Sequence, residues 1–207
     1  MDVREKLLNA ALEVFQEAGS RGATTRRIAQ AAGVNEITLF RHFGSKSALI
    51  HEALRAAMGR MEAARLPDEP RDPAGELTVW CRAHHAHLMG ARAMIRTAMG
   101  EFDQEPVMGT CAADAPARFA VELAGYLGRL RERGMADAAV EPSVAATMLM
   151  GALFSDAMGR DVMPQLYTYA PEEAPERYVA LFLRAIGARP AHEAHTPDIN
   201  DGAGTDT

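Results

Sequence analysis

The sequence predicts an all-α protein in which a small N-terminal group of helices precedes a larger helical bundle. Apolar residues recur at spacings of three and four positions along most of the 207-residue chain, which is the spacing of one buried helix face. Glycine or proline stands at most places where this periodicity stops. No segment shows a convincing strand pattern, so we expect helices throughout.

The first helix is predicted over residues 2–18. Val3, Leu7, Ala11 and Val14 fall on one face, while glutamate, asparagine and glutamine residues mark the opposite side. Gly19 follows directly and suits the positive φ that often ends a helix. We expect this helix to support the segment that follows it.

Residues 24–46 predict two short helices joined by a tight turn. A threonine at the start can cap the first helix, Gly33 can end it, and Asn35 can cap the second helix. Leu39 and Phe43, four positions apart, supply the buried edge of that second helix. This is the pattern of a helix-turn-helix whose second helix enters the DNA major groove. An ordinary helical hairpin with solvated arginines is the alternative.

The side chains around this turn suit the two kinds of DNA contact. Arginine can bond guanine through two hydrogen bonds, asparagine can bond adenine, and glutamate can bond the cytosine amine. The predicted base contacts are Arg26, Asn35, Glu36, Ile37, Thr38 and Arg41. Cations, hydroxyls and helix starts suit phosphates. The predicted phosphate contacts are Thr25, Arg27, Phe40, His42 and Lys46, with Thr24 a weaker candidate.

The distribution of charge supports DNA binding at the N-terminal end. The net charge is −6, yet residues 1–65 carry ten Lys and Arg against seven Asp and Glu. Residues 66–207 carry twelve against twenty-one. The acidic part would repel a phosphate backbone, so we expect only the basic part to contact DNA.

The segment from Val3 to Ile50 resembles the DNA-binding domain of the TetR family of transcriptional regulators. The matching residues run in order without gaps: Ala10, Ala11, Phe15, Gly19, Thr25, Ile28, Ala29, Ala32, Gly33, Val34, Thr38, Leu39, Phe40, His42, Phe43, Lys46 and Leu49. Two positions depart from the family pattern. Phe40 stands where a tyrosine usually meets a phosphate, and Ile37 stands where the family usually has a small residue.

The resemblance implies a dimer that binds a palindromic operator and leaves it when a small molecule occupies the C-terminal part. It therefore favours a repressor. It divides the chain into a DNA-binding domain at 1–48 and an effector-binding and dimerisation domain at 49–189, with residues 190–207 a polar, disordered tail. Two alternatives remain open: an activator, and an apolar-ligand-binding protein that has no affinity for DNA.

Five further segments of the C-terminal part predict helices, after one helix that leaves the DNA-binding region. That helix runs from Ser45 to about Arg65, and residues 66–75 form a proline-rich linker. The further helices are predicted over 73–89, 91–99, 113–133, 142–158 and 172–188, with a loop at 101–111.

The last two helices have apolar faces wider than a monomer needs. Val144, Met148, Gly151 and Ser155 share one face of the first of them. The resemblance implies that this pair forms a four-helix interface, in which both copies of a homodimer use the same patch. Burial within a single chain is the alternative.

The C-terminal part combines many methionines with few aromatic residues. Methionine adapts to irregular shapes, so a lipophilic effector between the helices is plausible. The candidate pocket residues are Trp80, His84, Phe119 and Met148. The alternative is that these side chains only fill a core.

Neither metal binding nor catalysis is favoured. His84, His85 and His87 follow Cys81 closely, but no carboxylate joins them at helical spacing, so one core histidine and two surface ones is the preferred interpretation. The chain has no nucleophile elbow, glycine-rich phosphate loop or HExxH motif, and we expect no cofactor. Without a signal peptide or a long apolar run, a cytoplasmic location is expected.

Overall fold

A computed structural model describes residues 2–59, 64–100 and 106–188. Within these ranges the chain forms eight α-helices and two short 3₁₀ turns, with no strand, which confirms the predicted all-α class. The helices are α1 Val3–Gly22, α2 Thr25–Ala32, α3 Glu36–Phe43, α4 Lys46–Gly59, α5 Pro73–Gly100, α6 Pro106–Glu132, α7 Pro142–Gly159 and α8 Ala174–Ala185. The 3₁₀ turns are Pro164–Leu166 and Pro171–Glu173. No helix in these ranges is both long and apolar enough to cross a membrane.

The N-terminal core is built by α1 to α4. Leu7, Phe15, Ile28, Leu39 and Leu49 are completely buried there. Each such side chain contributes roughly 1.5–3 kcal/mol on transfer from water. The last turns of α5 complete this core with three more buried side chains, Met94, Ile95 and Ala98.

A second core lies between α5, α6, α7 and α8. Leu77, Trp80, Leu123, Leu127 and Leu153 are among its most deeply buried members. Helix α5 therefore contributes its first half to this core and its last turns to the N-terminal one. A single continuous helix thus contributes to both cores.

A buried polar network joins α5, α7 and α8. The carboxylate of Asp156 is fully buried and accepts hydrogen bonds from His85 Nε2 at 2.6 Å and Tyr178 Oη at 3.0 Å. Arg160 donates to the same carboxylate from Nε at 2.7 Å and from Nη2 at 2.8 Å. Burial alone would raise the pKa of Asp156, but the hydrogen bonds from Arg160, His85 and Tyr178 outweigh it and hold that pKa below its usual value.

The structure corrects two predicted boundaries. Helix α5 is continuous from Pro73 to Gly100, whereas separate helices were predicted over 73–89 and 91–99. Gly90 lies inside it on an exposed position. One interior glycine costs about 1 kcal/mol, and the burial of Met94 and Ile95 beyond it holds the helix together. Helix α6 begins at Pro106, so the predicted loop is wrong for 106–111.

The remaining boundaries differ less. In α1 the predicted cap Gly19 has φ 64°, and a further turn continues to Gly22. Helix α4 ends at Gly59 in the described part, and residues 60–63 of its predicted extension lie outside the description. Helix α8 begins at Ala174, because the preceding residues form a 3₁₀ turn. The predicted tail from 190 also lies outside the described residues.

Candidate DNA-binding face and effector site

The turn between α2 and α3 has the predicted local geometry. The Thr24 hydroxyl accepts a hydrogen bond from the Arg27 amide at 3.2 Å, so Thr24 caps α2. Gly33 ends α2 with φ 66°, which favours glycine. The Asn35 carboxamide oxygen accepts from the Ile37 amide at 2.9 Å and caps α3. These caps fix where α2 begins and ends and where α3 begins.

Several predicted DNA contacts form an exposed face on α2 and α3. The Ile37 side chain is 75% exposed and the Phe40 ring 46% exposed, although both are apolar. Arg26, Arg41 and His42 are also exposed. Within the described ranges, neither arginine has a hydrogen-bond or ion-pair partner. Both guanidinium groups are therefore available to an external anion.

Other predicted DNA contacts have partners inside the N-terminal domain. The Thr25 hydroxyl donates to the Glu36 carboxylate, which ties the start of α2 to the start of α3. Lys46 Nζ donates to the Ser20 carbonyl at 2.7 Å. The ammonium retains two further N–H donors, so this bond does not prevent a phosphate contact.

Two predicted contacts remain on this surface. The Arg27 guanidinium pairs with the exposed Glu17 carboxylate at 3.3 Å, a pair of the kind that contributes little to stability. Thr38 is half-buried on α3, beside the exposed Ile37. Arg27 and Thr38 therefore both remain accessible on the surface of α2 and α3.

In the bundle, three of the four predicted pocket residues lie together. The rings of Trp80 and His84 stack with centroids 3.7 Å apart, and Phe119 meets His84 edge-on at 4.2 Å. These three residues form the aromatic cluster. Met148 is not part of it: its side chain is 63% exposed. The helical period of α7 turns Ala145 and Leu149 inward and Met148 outward.

The aromatic cluster holds two polar atoms without hydrogen-bond partners. They are Trp80 Nε1 and His84 Nε2, both buried, and the statement covers the part of the chain that the structure describes. Burial lowers the pKa of His84 to about 4, despite a hydrogen bond to the Trp80 carbonyl at 3.1 Å. Burial also raises the pKa of the Cys81 thiol to about 12, so this thiol is no nucleophile at neutral pH. The cluster is therefore uncharged.

The three neighbouring histidines have separate surroundings. His84 is in the aromatic cluster, His85 is bonded to Asp156, and His87 is half-buried. The structure thus has two core histidines in this run, where one was predicted. Burial lowers the pKa of His87. Among the described residues, no group of three or more histidine, cysteine or acidic side chains is placed to hold a metal.

A groove that the sequence did not indicate lies between α1, α4 and α5. Its volume is about 260 Å³. Its lining residues are Leu12, Gln16, Ala57, His87, Gly90, Ala91 and Met94. The lining comes from three helices, so no local spacing marks it in the sequence.

Acid is expected to destabilise the bundle through His84. Its pKa lies near 4 in the folded protein, below the usual 6.5, because burial disfavours the charged imidazolium. The unfolded chain therefore binds the proton more readily. Stability should be complete above pH 6.5 and fall by roughly 3 kcal/mol as the pH drops to 4.

Urea unfolding between pH 7 and pH 4 measures this loss. The loss should be smaller in His84→Phe than in the wild type, and unchanged in the control His42→Ala, which alters an exposed histidine. Parallel profiles for all three proteins would contradict the assignment to His84.

Comparison with known proteins points to one family. Residues 7–53 match the family described as "Bacterial regulatory proteins, tetR family". The tetracycline repressor protein class C of Escherichia coli is 29% identical over 199 residues, which are 88% of this chain and 90% of that protein. The class A repressor from transposon 1721 is 32% identical over 120 residues, 58% of this chain and 54% of that protein.

Solved structures share the fold. A TetR transcriptional regulator from Agrobacterium tumefaciens aligns with a TM-score of 0.74 at 20% identity, covering 93% of this chain and 98% of that one. The regulator FadR from Bacillus subtilis, in complex with stearoyl-CoA, aligns with a TM-score of 0.71 at 19% identity, covering 88% and 98% of the two chains. The resemblance therefore extends through the C-terminal bundle.

Proposed function

Since this chain belongs to the TetR family of DNA-binding transcriptional regulators, we propose that it is a dimeric repressor that a small lipophilic ligand releases from a palindromic operator. The DNA-binding part is residues 1–48, and residues 49–189 bind the ligand and the second copy. The observation that carries the proposal is the exposed face of α2 and α3, where the Arg26 and Arg41 guanidinium groups have no partner among described residues.

Helix α3 would enter the major groove with this face. Arg26, Ile37, Thr38 and Arg41 would approach base edges, and the Ile37 side chain has the apolar surface that fits a thymine methyl group. The Asn35 carboxamide oxygen caps α3, so a two-bond contact with adenine would use the second lone pair of that oxygen together with the N–H₂ group. Thr25, Arg27, Phe40, His42 and Lys46 would position the domain on the backbone. Glu36 would need to leave Thr25 before it reached a cytosine.

A second copy would cover the outer face of α7 and α8. Val144 is 51% exposed, Met148 63% and Leu181 61%, and exposed apolar side chains in this number favour a partner. Gly151 and Ser155 are exposed on the same face of α7 as Met148, which allows a facing helix to approach closely. Two-fold pairing would set the two reading helices about 34–36 Å apart, one DNA turn.

The ligand signal would reach DNA through α5 together with α4. The first half of α5 carries Trp80 and His84 of the aromatic cluster, and its last turns carry Met94 and Ile95 of the N-terminal core. A ligand shifts this arrangement only if it binds the released state more tightly than the DNA-bound state. The stearoyl-CoA complex of the Bacillus subtilis regulator supports a ligand with a lipophilic part.

Arg41→Ala tests the DNA-binding proposal most directly. An oligonucleotide selection with the wild-type protein identifies the operator, and filter binding then measures affinity for the operator and for unrelated DNA. Because Arg41 is placed at a base edge, its loss should weaken binding to the operator roughly tenfold and reduce the preference for the operator over unrelated DNA. Arg118→Ala, an exposed cation on α6, is the control and should leave both quantities unchanged.

The same selection separates the alternative functions. Failure of the wild-type protein to enrich any sequence at low salt would favour a ligand-binding protein without DNA affinity. Enrichment of a sequence whose transcription rises when the protein is bound would favour an activator.

A further inference from the structure

Two buried polar atoms of the aromatic cluster lack hydrogen-bond partners. Trp80 is completely buried and His84 is only 5% exposed. Nevertheless, Trp80 Nε1 and His84 Nε2 have no hydrogen-bond partner among the residues described. Buried polar atoms in native proteins are nearly always hydrogen-bonded, so an unpaired one indicates a missing water or ligand. Here two such atoms belong to rings whose centroids are 3.7 Å apart.

The chemistry of each atom follows from its own bonds. The indole Nε1–H can only donate. His84 Nδ1 lies 3.1 Å from the Trp80 carbonyl oxygen, which can only accept, so the ring proton is on Nδ1. In the neutral ring Nε2 then carries a lone pair and accepts. The pair thus presents one donor and one acceptor.

The surroundings exclude a charged partner group at this point. Leu77, Cys81 and Leu123 are completely buried in the same core, and Phe119 covers the edge of the imidazole. A carboxylate or ammonium placed here would lose its hydration without meeting a counter-charge among the described side chains. The matching group is neutral, donates one hydrogen bond and accepts another.

We propose that the aromatic cluster binds an uncharged hydroxyl compound, a phenol or alcohol with an apolar body. Its O–H donates to His84 Nε2, and its oxygen accepts from Trp80 Nε1–H. An ether or a ketone satisfies only the indole, and a hydrocarbon satisfies neither atom. The inference rests on the proposed function, in which this cluster is the effector site, and adds the chemical class of the effector.

Binding of three related probes to the full-length protein tests the proposal. They are 4-propylphenol, 4-propylanisole, which accepts but cannot donate, and 4-propylbenzoate, which is charged. Trp80 is the single tryptophan of the chain, so its indole N–H gives one NMR cross-peak that reports directly on this atom. The phenol should move that peak downfield and bind about tenfold or more tightly than the anisole, with the benzoate weakest.

Two histidine variants test the proposed hydrogen bond to His84 Nε2. His84→Phe keeps an aromatic ring and the indole signal but should weaken 4-propylphenol binding about tenfold. The control His87→Phe, on the same helix but lining the groove, should leave that binding unchanged. Equal affinities for phenol and anisole, an indole peak that the phenol does not move, or wild-type phenol affinity in His84→Phe would each overturn the proposal.

Operator binding by the unliganded protein, measured in the same preparation, is judged separately. Operator binding with the wrong probe ranking refutes the ligand class alone. The expected probe ranking without operator binding refutes the repressor and leaves the hydroxyl-binding site in place.

Discussion

Replacing Asp156 by alanine is expected to lower the free energy of unfolding by about 3–5 kcal/mol. The Asp156 carboxylate is fully buried, and it accepts hydrogen bonds from His85, Arg160 and Tyr178. Removing it leaves the Arg160 guanidinium, whose side chain is 11% exposed, without its counter-charge. The imidazole of His85, 4% exposed, loses its partner as well. Urea unfolding at pH 7 measures the loss.

Asp161→Ala is the matched control. Asp161 also pairs with an arginine, Arg96, at 2.5 Å, but its side chain is 45% exposed. Pairs exposed to solvent contribute roughly 0–1 kcal/mol, so this variant should remain close to wild type. If the two aspartate variants lost equal stability, burial would not be the cause, and the importance given to the α5–α7–α8 network would be wrong.

Met148→Glu is expected to convert the proposed dimer into a monomer that remains folded. The Met148 side chain is 63% exposed, so the change removes no core contact of the single chain. In a two-fold interface the new carboxylate would be buried against the same surface of the second copy. It would lie close to the second new carboxylate and would have no cation to pair with, which is costly. A monomer places only one reading helix on the operator, so operator affinity should fall on the order of 100-fold.

Sedimentation velocity and filter binding measure the two effects, and circular dichroism checks the fold. The control is Val121→Glu, because Val121 is 73% exposed on α6 and lies outside the proposed interface. It should remain dimeric and bind the operator normally. A Met148→Glu protein that is dimeric at micromolar concentration would show that the dimer uses another surface.

The ends of the two short helices in the N-terminal domain could be predicted from residues adjacent in the sequence. Gly33 was predicted to end α2 and Asn35 to cap α3, and both do so, because a positive φ and an N-terminal hydrogen bond depend on a few adjacent positions. Thr24 and Thr25 both stand at the start of α2, and the structure shows that Thr24 is the residue that caps this helix. The family resemblance, which came from the same segment, was confirmed by comparison with known proteins.

Contacts between distant residues needed the folded chain. The bond between His85 and Asp156 spans 71 positions, and nothing in the local pattern around either residue indicates the other. The histidine run illustrates the same point, since His84 and His85 on α5 face different neighbours and both are buried, where one core histidine was predicted. Met148 was placed in the pocket by its residue type, but the rotation of α7 turns it outward.

Spacing and turn chemistry were thus enough for the all-α class and for the ends of α2 and α3, since helical periodicity and caps depend on residues within a few positions of one another. Three features depended on how helices far apart in the chain pack: the burial of two unpaired polar atoms in the aromatic cluster, the buried carboxylate network, and the groove beside His87. All three depend on which residues are buried, and the burial of a residue is determined by which helices cover it.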